Sequence, residues 1–338
     1  MGVDLGALVA PRKGSLADFA GKVIAIDAFN TLYQFLAIIR QPDGTPLMDG
    51  QGRVTSHLSG IIYRLTGFME AGIRPILVFD GRPPPRKART IAARSVVKER
   101  AQREWREAVE EGDLPKARTK AMQTSRLTGE MVGQARALLD ALGVPTVQAP
   151  SEGEAQAAWM AAQGTAYAAG SQDYDCLLFG APVLVKNLAI SGRRKLPNKN
   201  VYVDVQPEEI RLDEVLGTLA VTREQLVDMG ILMGTDFNEG VDGIGPKKSL
   251  ALIRKHGSLG PALASLAVEI EGAEEVRRIF LEPATSSVAV TWRPPDRQRV
   301  LDLLVGEHQF SESRVLAALK KLEGAALDES QSSLDRWV

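Results

Sequence analysis

The chain has 338 residues, 44% of them hydrophobic, with 41 lysines and arginines against 42 aspartates and glutamates, a composition that excludes global disorder. Its single cysteine, Cys176, excludes an intrachain disulfide and a cysteine-built zinc site, and the three scattered histidines argue against a histidine metal site. The chain has no apolar run of about 18 residues and no N-terminal signal segment, so we expect a cytoplasmic protein that does not associate with membranes.

Short apolar runs rich in β-branched residues alternate with amphipathic segments in the first part of the chain. One run ends at Asp27 and another at Asp80, and 54–71 between them has helical spacing. A strand, a helix and a second strand form a βαβ unit, which predicts an α/β fold with a mostly parallel sheet. Further strands are predicted at 144–148, within 166–180, at 181–188 and at 200–205.

A basic segment follows the second predicted strand. From Arg82 to Arg106 there are nine basic residues and two acidic ones, although the whole chain is nearly neutral. The stretch to about residue 126 has few large apolar side chains, so we predict helices that stand off the core. The charge is explained either by a solvated helix face or by a partner rich in phosphate.

The predictions for the second half are less regular. Thr128 is predicted to cap an amphipathic helix that ends at Gly143. The basic stretch 191–199 is predicted to be a loop between two strands. The remainder of the chain, to about residue 324, is predicted to be mainly helical.

Acidic residues follow four of the predicted strands, and one more lies in a glycine-flanked turn. The carboxyl ends of parallel strands lie at one edge of a sheet, where ligands bind, so neighbouring strands would bring these acids together. Two carboxylates about 5 Å apart repel by roughly 3 kcal/mol at an effective dielectric constant of about 20. The acids are Asp27, Asp80, Glu152, Glu154, Asp173, Asp175 and Asp236.

Such a cluster favours a site for two Mg²⁺ ions, with Mn²⁺ as a substitute. Hard divalent cations prefer oxygen ligands, and a pair of them about 4 Å apart promotes phosphodiester hydrolysis. Local explanations compete for single residues. Ser151 and Glu154 have the spacing of a helix capping box, and an aspartate after a strand often caps a turn. The convergence of seven acids favours the metal site.

A glycine-rich motif in the segment 241–253 predicts contact with a phosphate backbone. The sequence VDGIGPKKSLALI resembles a helix-hairpin-helix, in which Gly243 and Gly245 let backbone N–H groups approach a phosphate and Lys247 and Lys248 follow. A glycine-rich turn between two helices is the alternative. Together with the basic segment, the motif favours sequence-independent binding of nucleic acid.

Seven segments of the chain occur in a characteristic order: MGVDLGAL, VIAIDAFNTLYQF, TSHLSGIIYR, VFDGRPPPRK, APSEGEAQAA, SQDYDCLLFG and GTDFNEGVDGIGPKK. Together they resemble the flap endonucleases, the structure-specific 5′ nucleases of DNA replication and repair, and above all their shorter archaeal members. The resemblance covers essentially the whole chain. It implies a Rossmann-like (PIN/5′-nuclease) α/β core with a mostly parallel central sheet flanked by helices, a helical arch and a helix-hairpin-helix element.

The resemblance also implies an activity. A flap endonuclease with 5′–3′ exonuclease activity would cut 5′ flaps of branched DNA near the junction of single and double strands, during Okazaki fragment maturation and repair. Two Mg²⁺ ions would be held by two groups of ligands. The first group is Asp27, Asp80, Glu152 and Glu154, and the second is Asp173, Asp175 and Asp236, with Glu154 shared between them.

Further site residues are implied by the same resemblance. Lys87 and Arg94 match catalytic residues that steer the scissile phosphate onto the metals, and Tyr33 matches a residue that stacks on a base. Arg40 and Arg64 match residues around a pocket for a one-nucleotide 3′ flap. Other expected DNA contacts are Gly2, as the mature N-terminus near the active site, and Glu152, Gly234, Asp236, Gly243, Gly245, Lys247 and Lys248.

The C-terminal tail resembles a sliding-clamp-binding box. The sequence QSSLDRWV places Gln331, Leu334 and Trp337 at the expected spacing, but Val338 stands where a second aromatic residue is usual. The protein is expected to be a monomer without the clamp. The expected regions are a nuclease region at 1–98, a helical arch at 99–126 that starts near 82, an internal nuclease region with the helix-hairpin-helix at 127–258, a C-terminal helical region at 259–325 and the clamp-binding tail at 330–338.

Two other functions stay open on the sequence. A Holliday-junction or bubble nuclease of the same superfamily would use the same chemistry on another substrate. A non-catalytic DNA-junction-binding or clamp-binding protein would leave the acidic edge unexplained.

Overall fold

A computed structural model of the chain describes residues 2–190, 192–195 and 202–322. Nine strands lie within the described residues. They are β1 (Arg12–Lys13), β2 (Val23–Asp27), β3 (Arg74–Phe79), β4 (Thr146–Gln148), β5 (Ala168–Gly170), β6 (Val183–Lys186), β7 (Gly192–Lys195), β8 (Tyr202–Val205) and β9 (Glu208–Arg211).

Helices surround and follow these strands. The π-helical turn Ile61–Leu65 joins α2 to α3 in one continuous helical stretch, and a helix over 312–322 is the last described element. The helices are α1 (Ala28–Ile38), α2 (Ser56–Gly60), α3 (Thr66–Glu70), α4 (Ala88–Glu110), α5 (Leu114–Ala121), α6 (Gly129–Ala141), α7 (Gly153–Ala162), α8 (Asp175–Leu178), α9 (Leu212–Leu219), α10 (Arg223–Met233), α11 (Pro246–His256), α12 (Leu259–Leu266), α13 (Ala273–Leu281) and α14 (Arg297–Leu301).

The central sheet has seven strands in the order β1-β9-β6-β5-β2-β3-β4. The five strands from β6 to β4 are parallel, whereas β9 runs antiparallel to β6 and β1 runs antiparallel to β9. Helices follow the parallel strands and return the chain across the sheet, as parallel connections require. The predicted α/β class with a mostly parallel sheet is therefore confirmed.

The sheet separates two apolar layers. In β3 the side chains of Ile76 and Val78 belong to one buried cluster, and those of Leu77 and Phe79 belong to the other. This alternation follows from the two-residue period of a strand, in which successive side chains point to opposite faces. Because both faces are covered, the strands read as continuous apolar runs.

The basic segment forms helices that stand away from this core, as predicted. Within α4 only Ala101 and Ala108 are buried, while Val96 and Val97 are 67% and 59% exposed. The far part of α4 rests on a loop, because the Trp105 indole N–H donates to the backbone oxygen of Asp43 at 3.2 Å.

Two helices and a glycine-rich connection form where the helix-hairpin-helix was predicted. Helices α10 and α11 lie against each other and are joined by a glycine-rich turn. Gly234 ends α10 with φ +97° and Gly243 has φ +71°, conformations that favour glycine. Gly245 precedes α11, and Pro246 takes the first helical position.

One prediction of local structure was wrong, one strand was missed, and one stretch of the mainly helical C-terminal part is not helical. Part of the expected loop 191–199 is the strand β7, which pairs with β8. Strand β9 was not predicted, since EEIR offers too few apolar residues. The segment 282–296 contains no helix. Pro283, Pro294 and Pro295 interrupt it, and its apolar residues alternate with a period of two and pack on the core.

None of the helices in the described part of the chain is both long enough and apolar enough to cross a bilayer.

Candidate active site

The strand order places the predicted acids side by side. Strands β5, β2, β3 and β4 are neighbours in that order and are parallel, so their carboxyl ends form one edge. Along this edge lie Asp173 and Asp175, then Asp27, then Asp80, and then Glu152 and Glu154.

Asp27 and Asp80 each accept a hydrogen bond from a backbone N–H group in the first turn of an adjacent helix. Asp27 ends β2 and caps α1, accepting a hydrogen bond from the Asn30 N–H at 3.0 Å. Asp80 follows β3 and accepts from the Gly153 N–H, at the start of α7, at 2.6 Å. Each bond holds a carboxylate close to the edge of the sheet.

Gly153 is required by this packing. A Cβ atom at residue 153 would lie 2.8 Å from a carboxylate oxygen of Asp80 and 3.2 Å from the backbone oxygen of Val78. A larger residue would therefore push α7 away from β3. The small residue between Glu152 and Glu154 lets both glutamates enter the cluster.

The capping-box interpretation of this helix start is wrong. Glu152 is the N-cap of α7, and no side-chain capping bond is formed. The Ser151 hydroxyl instead donates to the backbone oxygen of Arg82 at 3.2 Å. The Glu154 carboxylate accepts from the Ser171 hydroxyl, so it turns to the end of β5 rather than to its own helix.

The N-terminal segment closes the cluster on the β5 side. The Val3 N–H donates to Asp175 at 2.7 Å, and Asp175 is only 3% exposed. A Cβ atom at Gly2 would lie 2.8 Å from an Asp175 carboxylate oxygen and 2.9 Å from the Asp173 Cβ atom. Gly2 therefore lies at the acidic edge, and a larger side chain would not fit there.

The buried carboxylates destabilise one another's charge. Burial raises the pKa of Asp27 well above its ordinary value, and the nearby Asp80 raises it further. Burial likewise raises the pKa of Glu154, with added repulsion from Asp173 and Asp175. Burial and the same kind of repulsion raise the pKa of Asp175 from 3.8 to about 7. Such groups gain stability when a cation neutralises them.

Two basic side chains of the basic segment reach into the cluster. Lys87 forms an ion pair with Glu152, and its ammonium lies 3.7 Å from an Asp236 carboxylate oxygen. Arg94 donates to both carboxylate oxygens of Asp236, at 2.6 and 2.8 Å. The family resemblance implied both residues at the site, and the structure brings them directly onto its acids.

These ion pairs change the titration of their members. Burial opposes the change at Asp236, but Arg94 and Lys87 hold the pKa of Asp236 below its ordinary value. Burial also opposes the change at Lys87, yet the carboxylates, led by Glu152, raise the pKa of Lys87 above its ordinary value. The charged forms of Asp236 and Lys87 are therefore favoured, whereas burial raises the pKa of Glu152 in spite of its ion pair with Lys87.

The acids fit a divalent cation by their chemistry. Buried carboxylate oxygens with excess negative charge are the ligands that Mg²⁺ and Mn²⁺ prefer. As they stand, however, no three acidic, histidine or cysteine side chains of the described residues have the spacing of a formed metal site. Glu152 is paired with Lys87, and Asp236 is paired with Arg94. For Glu152 and Asp236 to bind an ion, their side chains would have to leave these partners.

Glu154 bridges the two predicted ligand groups. Repulsion from Asp173 and Asp175 on one side, and from Asp27 on the other, contributes to the pKa shift of Glu154. This position agrees with a shared ligand. Glu152, in contrast, interacts with Asp80 and Asp236.

The predicted DNA-contacting residues of the first two helical segments lie around the acidic edge and beyond it. Tyr33 on α1 is partly buried, and the Lys98 ammonium lies 4.5 Å from the centre of its ring. Arg40 is held by Leu36 O and Gly44 O, both at 2.8 Å, and by the Ser125 hydroxyl at 3.0 Å. Burial lowers the pKa of Arg40 to about 10.

Arg64 lies exposed on the π-helical turn. In the helix-hairpin-helix, Lys247 and Lys248 are exposed, and the Lys248 ammonium donates to the Gly243 backbone oxygen at 2.8 Å. Residues 331–338, with the predicted clamp contacts Gln331, Leu334, Trp337 and Val338, lie outside the described residues.

Some residues at the site were not predicted. The Asn30 side-chain amide donates to Asp173 at 3.2 Å, and the Thr90 hydroxyl donates to the Asp236 backbone oxygen at 2.8 Å. Ser171 holds Glu154, and Lys186 ends β6 at the same edge with its ammonium 3.4 Å from the centre of the Tyr174 ring. These polar residues have no spacing pattern that a sequence could reveal.

The fold and the acidic edge are matched by known families. The XPG N-terminal domain matches residues 2–101, and the XPG I-region matches residues 143–236. These two regions include all seven clustered acids, and the last of them, Asp236, is also the last matched residue. The class defined by fold and site is thus that of the XPG-type proteins.

Comparison with individual proteins assigns the chain to one family within this class. The chain is 50% identical to flap endonuclease 1 of Methanococcoides burtonii, with 100% of both chains covered. It is similar to the solved structure of flap endonuclease-1 from Methanococcus jannaschii, with 39% identity, a TM-score of 0.77, and 97% and 100% of the two chains covered. The catalytic core of Rad2 in complex with DNA substrate, at 22% identity, shares the fold with a TM-score of 0.67 and 94% and 97% coverage. The chain belongs to the flap endonuclease 1 family.

Proposed function

We propose that this enzyme is a structure-specific 5′-flap endonuclease, with 5′–3′ exonuclease activity, that processes branched DNA in Okazaki fragment maturation and repair. The observation that carries the proposal is the cluster of seven carboxylates at one sheet edge, with Lys87 and Arg94 reaching onto it from the basic helix. Cleavage would occur near the junction of single and double strands. It would take place in the cytoplasm, by a monomer that joins a sliding clamp.

The acids are proposed to hold two Mg²⁺ ions, for which Mn²⁺ can substitute. Asp27, Asp80, Glu152 and Glu154 form the first proposed group, and Asp173, Asp175 and Asp236 form the second, with Glu154 shared. Bound there, the ions would lower the pKa of a water molecule and offset charge on the phosphate. The raised pKa values of the buried acids support this assignment, because burial and mutual repulsion outweigh the countercharge that Lys87 offers to Asp27 and Asp175.

Lys87 and Arg94 are proposed to bind and orient the scissile phosphate. Each is held by a carboxylate that belongs to the proposed ligand set, Lys87 by Glu152 and Arg94 by Asp236. When these carboxylates take a cation instead, the two basic side chains become available to an anion. A phosphate between them and the sheet edge would be fixed from one side by two positive charges.

The remaining proposed DNA contacts are independent of the base sequence of the DNA. Residues 82–126 would cover the single-stranded 5′ end as an arch, and the helix-hairpin-helix would contact the duplex backbone through Gly243, Gly245, Lys247 and Lys248. Tyr33 would stack on a base near the scissile phosphate. Arg40 and Arg64 would lie around a 3′-flap pocket.

The metal assignment is tested by replacing one acid in a way that keeps its shape. In Asp175→Asn and Asp236→Asn variants, single-turnover cleavage of a 5′-flap duplex in Mg²⁺ should fall by at least about 1,000-fold, whereas anisotropy should give an unchanged Kd for the flap. Asp213→Asn is the control. Asp213 follows β9, which is antiparallel, so it lies at the opposite edge of the sheet. Near-wild-type cleavage by either active-site variant would refute the assignment.

The substrate is tested with a panel of labelled DNAs. We expect a 5′ flap to be cut in Mg²⁺ much faster than a bubble, a four-way junction or a single strand of the same sequence. Preference for the four-way junction or the bubble would support the related nucleases of the superfamily. Binding to branched DNA without cleavage of any substrate would support a non-catalytic junction protein.

A further inference from the structure

The turn that leads into the basic helix presents two consecutive basic side chains to different acidic partners. In the 3₁₀ turn Pro85–Lys87, the Lys87 side chain reaches Glu152 in the acidic cluster. The preceding residue, Arg86, instead contacts α13, which carries none of the seven clustered acids. Its guanidinium forms an ion pair with Glu275, and its Nη1 donates to the Glu271 backbone oxygen at 3.1 Å.

Gly272, together with Glu275 and the Glu271 backbone oxygen, forms the binding position of the Arg86 guanidinium, which we call the Arg86 seat. Gly272 precedes α13 with φ +69°. A Cβ atom there would lie 1.7 Å from Nη2 and 2.1 Å from Cζ of Arg86. The guanidinium therefore packs directly on the glycine backbone, and no residue with a side chain can occupy this position without displacing it.

Helix α13, which carries this seat, is anchored in the core. Val276 and Phe280 on its inner face are fully buried. Arg277 forms an ion pair at 2.9 Å with Asp228, which is 1% exposed on α10. The seat is thus part of a fixed body, whereas the basic helix α4 has little buried surface of its own.

We propose that Arg86, seated on Gly272 and Glu275, is a positioning residue that aims Lys87 at the scissile phosphate. This inference rests on the proposed function. The bonds that hold Lys87 and Arg94 involve Glu152 and Asp236, which would exchange these partners for cations. The Arg86 seat lies outside the acidic cluster, so it persists through that exchange and keeps the start of α4 in place.

The seat is best tested from α13, because substitutions there leave every basic residue near the DNA unchanged. Glu275→Ala removes the ion pair, and Gly272→Ala displaces the guanidinium without removing a charge. Glu274→Ala is the matched control, since Glu274 lies in the same first helical turn. We expect single-turnover cleavage of a saturated 5′-flap substrate to slow by about tenfold in the two seat variants, with unchanged Kd, and to keep the wild-type rate in the control. Tm should stay unchanged in Glu275→Ala and should fall in Gly272→Ala, because alanine is strained at φ +69°.

A second substitution separates positioning from a general packing defect. In a Lys87→Ala background, Glu275→Ala should cause no additional slowing, because the side chain that the seat positions is gone. If the double variant is slower than Lys87→Ala by the same factor by which Glu275→Ala slows the wild type, the proposal is overturned.

Hydrogen exchange of segment 84–95, measured by mass spectrometry, provides a readout that does not depend on cleavage. Exchange there should be faster in Glu275→Ala and Gly272→Ala than in the wild type and in Glu274→Ala. Wild-type exchange and wild-type cleavage in both seat variants would overturn the inference. If the wild type cuts no branched DNA, the proposed function fails, and wild-type exchange in the seat variants would then show that the seat also fails.

Discussion

Replacing Asp175 with asparagine is expected to stabilise the metal-free protein while it abolishes cleavage. Asp175 is buried at 3% exposure, and its carboxylate accepts a hydrogen bond from the Val3 N–H at 2.7 Å. An asparagine side-chain oxygen can accept the same bond. The substitution therefore removes the charge and keeps the shape and the contact.

The size of the effect follows from the pKa of Asp175. Burial first, and then repulsion from Asp173 and Asp236, raise this pKa from 3.8 to about 7, against the opposing effect of the Val3 N–H. Between these two pH values the folded protein keeps a proton that the unfolded chain has released, so stability falls as the pH rises. At about 1.4 kcal/mol per pH unit, the raised pKa of Asp175 lowers the free energy of unfolding by about 4 kcal/mol at pH 8 and by about 2 kcal/mol at pH 5.

The assay is urea unfolding in EDTA at both pH values, followed by tryptophan fluorescence. Relative to the wild type, Asp175→Asn should gain up to about 4 kcal/mol in the free energy of unfolding at pH 8, and about half as much at pH 5. The exposed-site control Asp213→Asn should change it by less than about 0.5 kcal/mol at either pH. Added Mg²⁺ should stabilise the wild type more than Asp175→Asn.

Two results would refute this reasoning. An Asp175→Asn variant that is no more stable than the wild type at pH 8 in EDTA would show that the carboxylate is not held under electrostatic strain. A gain of the same size at pH 5 and pH 8 would show that the gain does not come from the ionisation of Asp175.

Three further predictions address other parts of the molecule. Lys87→Ala and Arg94→Ala should each slow single-turnover flap cleavage by about 100-fold, or about 2.7 kcal/mol, with less than a threefold change in Kd measured by anisotropy; equal losses in rate and binding would contradict the steering role. Arg40→Ala should lower the free energy of unfolding by about 2 kcal/mol in urea, because three buried oxygen atoms lose their donor; an unchanged midpoint would mean that these bonds contribute nothing. Deletion of 331–338 should leave basal cleavage intact and abolish stimulation by a sliding clamp, and full stimulation of the truncated chain would refute the proposed clamp contact.

The central strands of the fold could be predicted from the sequence because each of them is a recognisable apolar run. The apolar runs ending at Asp27 and Asp80 are buried on both faces, so they are continuous and easy to recognise. Thr128 was predicted to cap α6, and its hydroxyl does accept a hydrogen bond from the Met131 N–H at 3.2 Å. Such local rules depend on a few neighbouring residues and survive into the structure.

Local rules failed where a distant partner offered a better contact. Ser151 and Glu154 have the spacing of a capping box, but Arg82 O and Ser171 take their side chains instead. Strand β7 formed within a stretch expected to be a loop, because β8 pairs with it. Hydrogen bonds to segments remote in the sequence outweighed the local preference in each case.

The sequence by itself determined which residues are acidic, that they follow the strands, and that a basic segment comes next. Only the tertiary structure decided that β5, β2, β3 and β4 are neighbours and so bring those acids to one edge. It also decided which charges meet, since Lys87 pairs with Glu152 and Arg86 with Glu275 although the two basic residues are adjacent in the chain. Strand order and ion-pair partners depend on how the whole chain packs, and no local pattern encodes them.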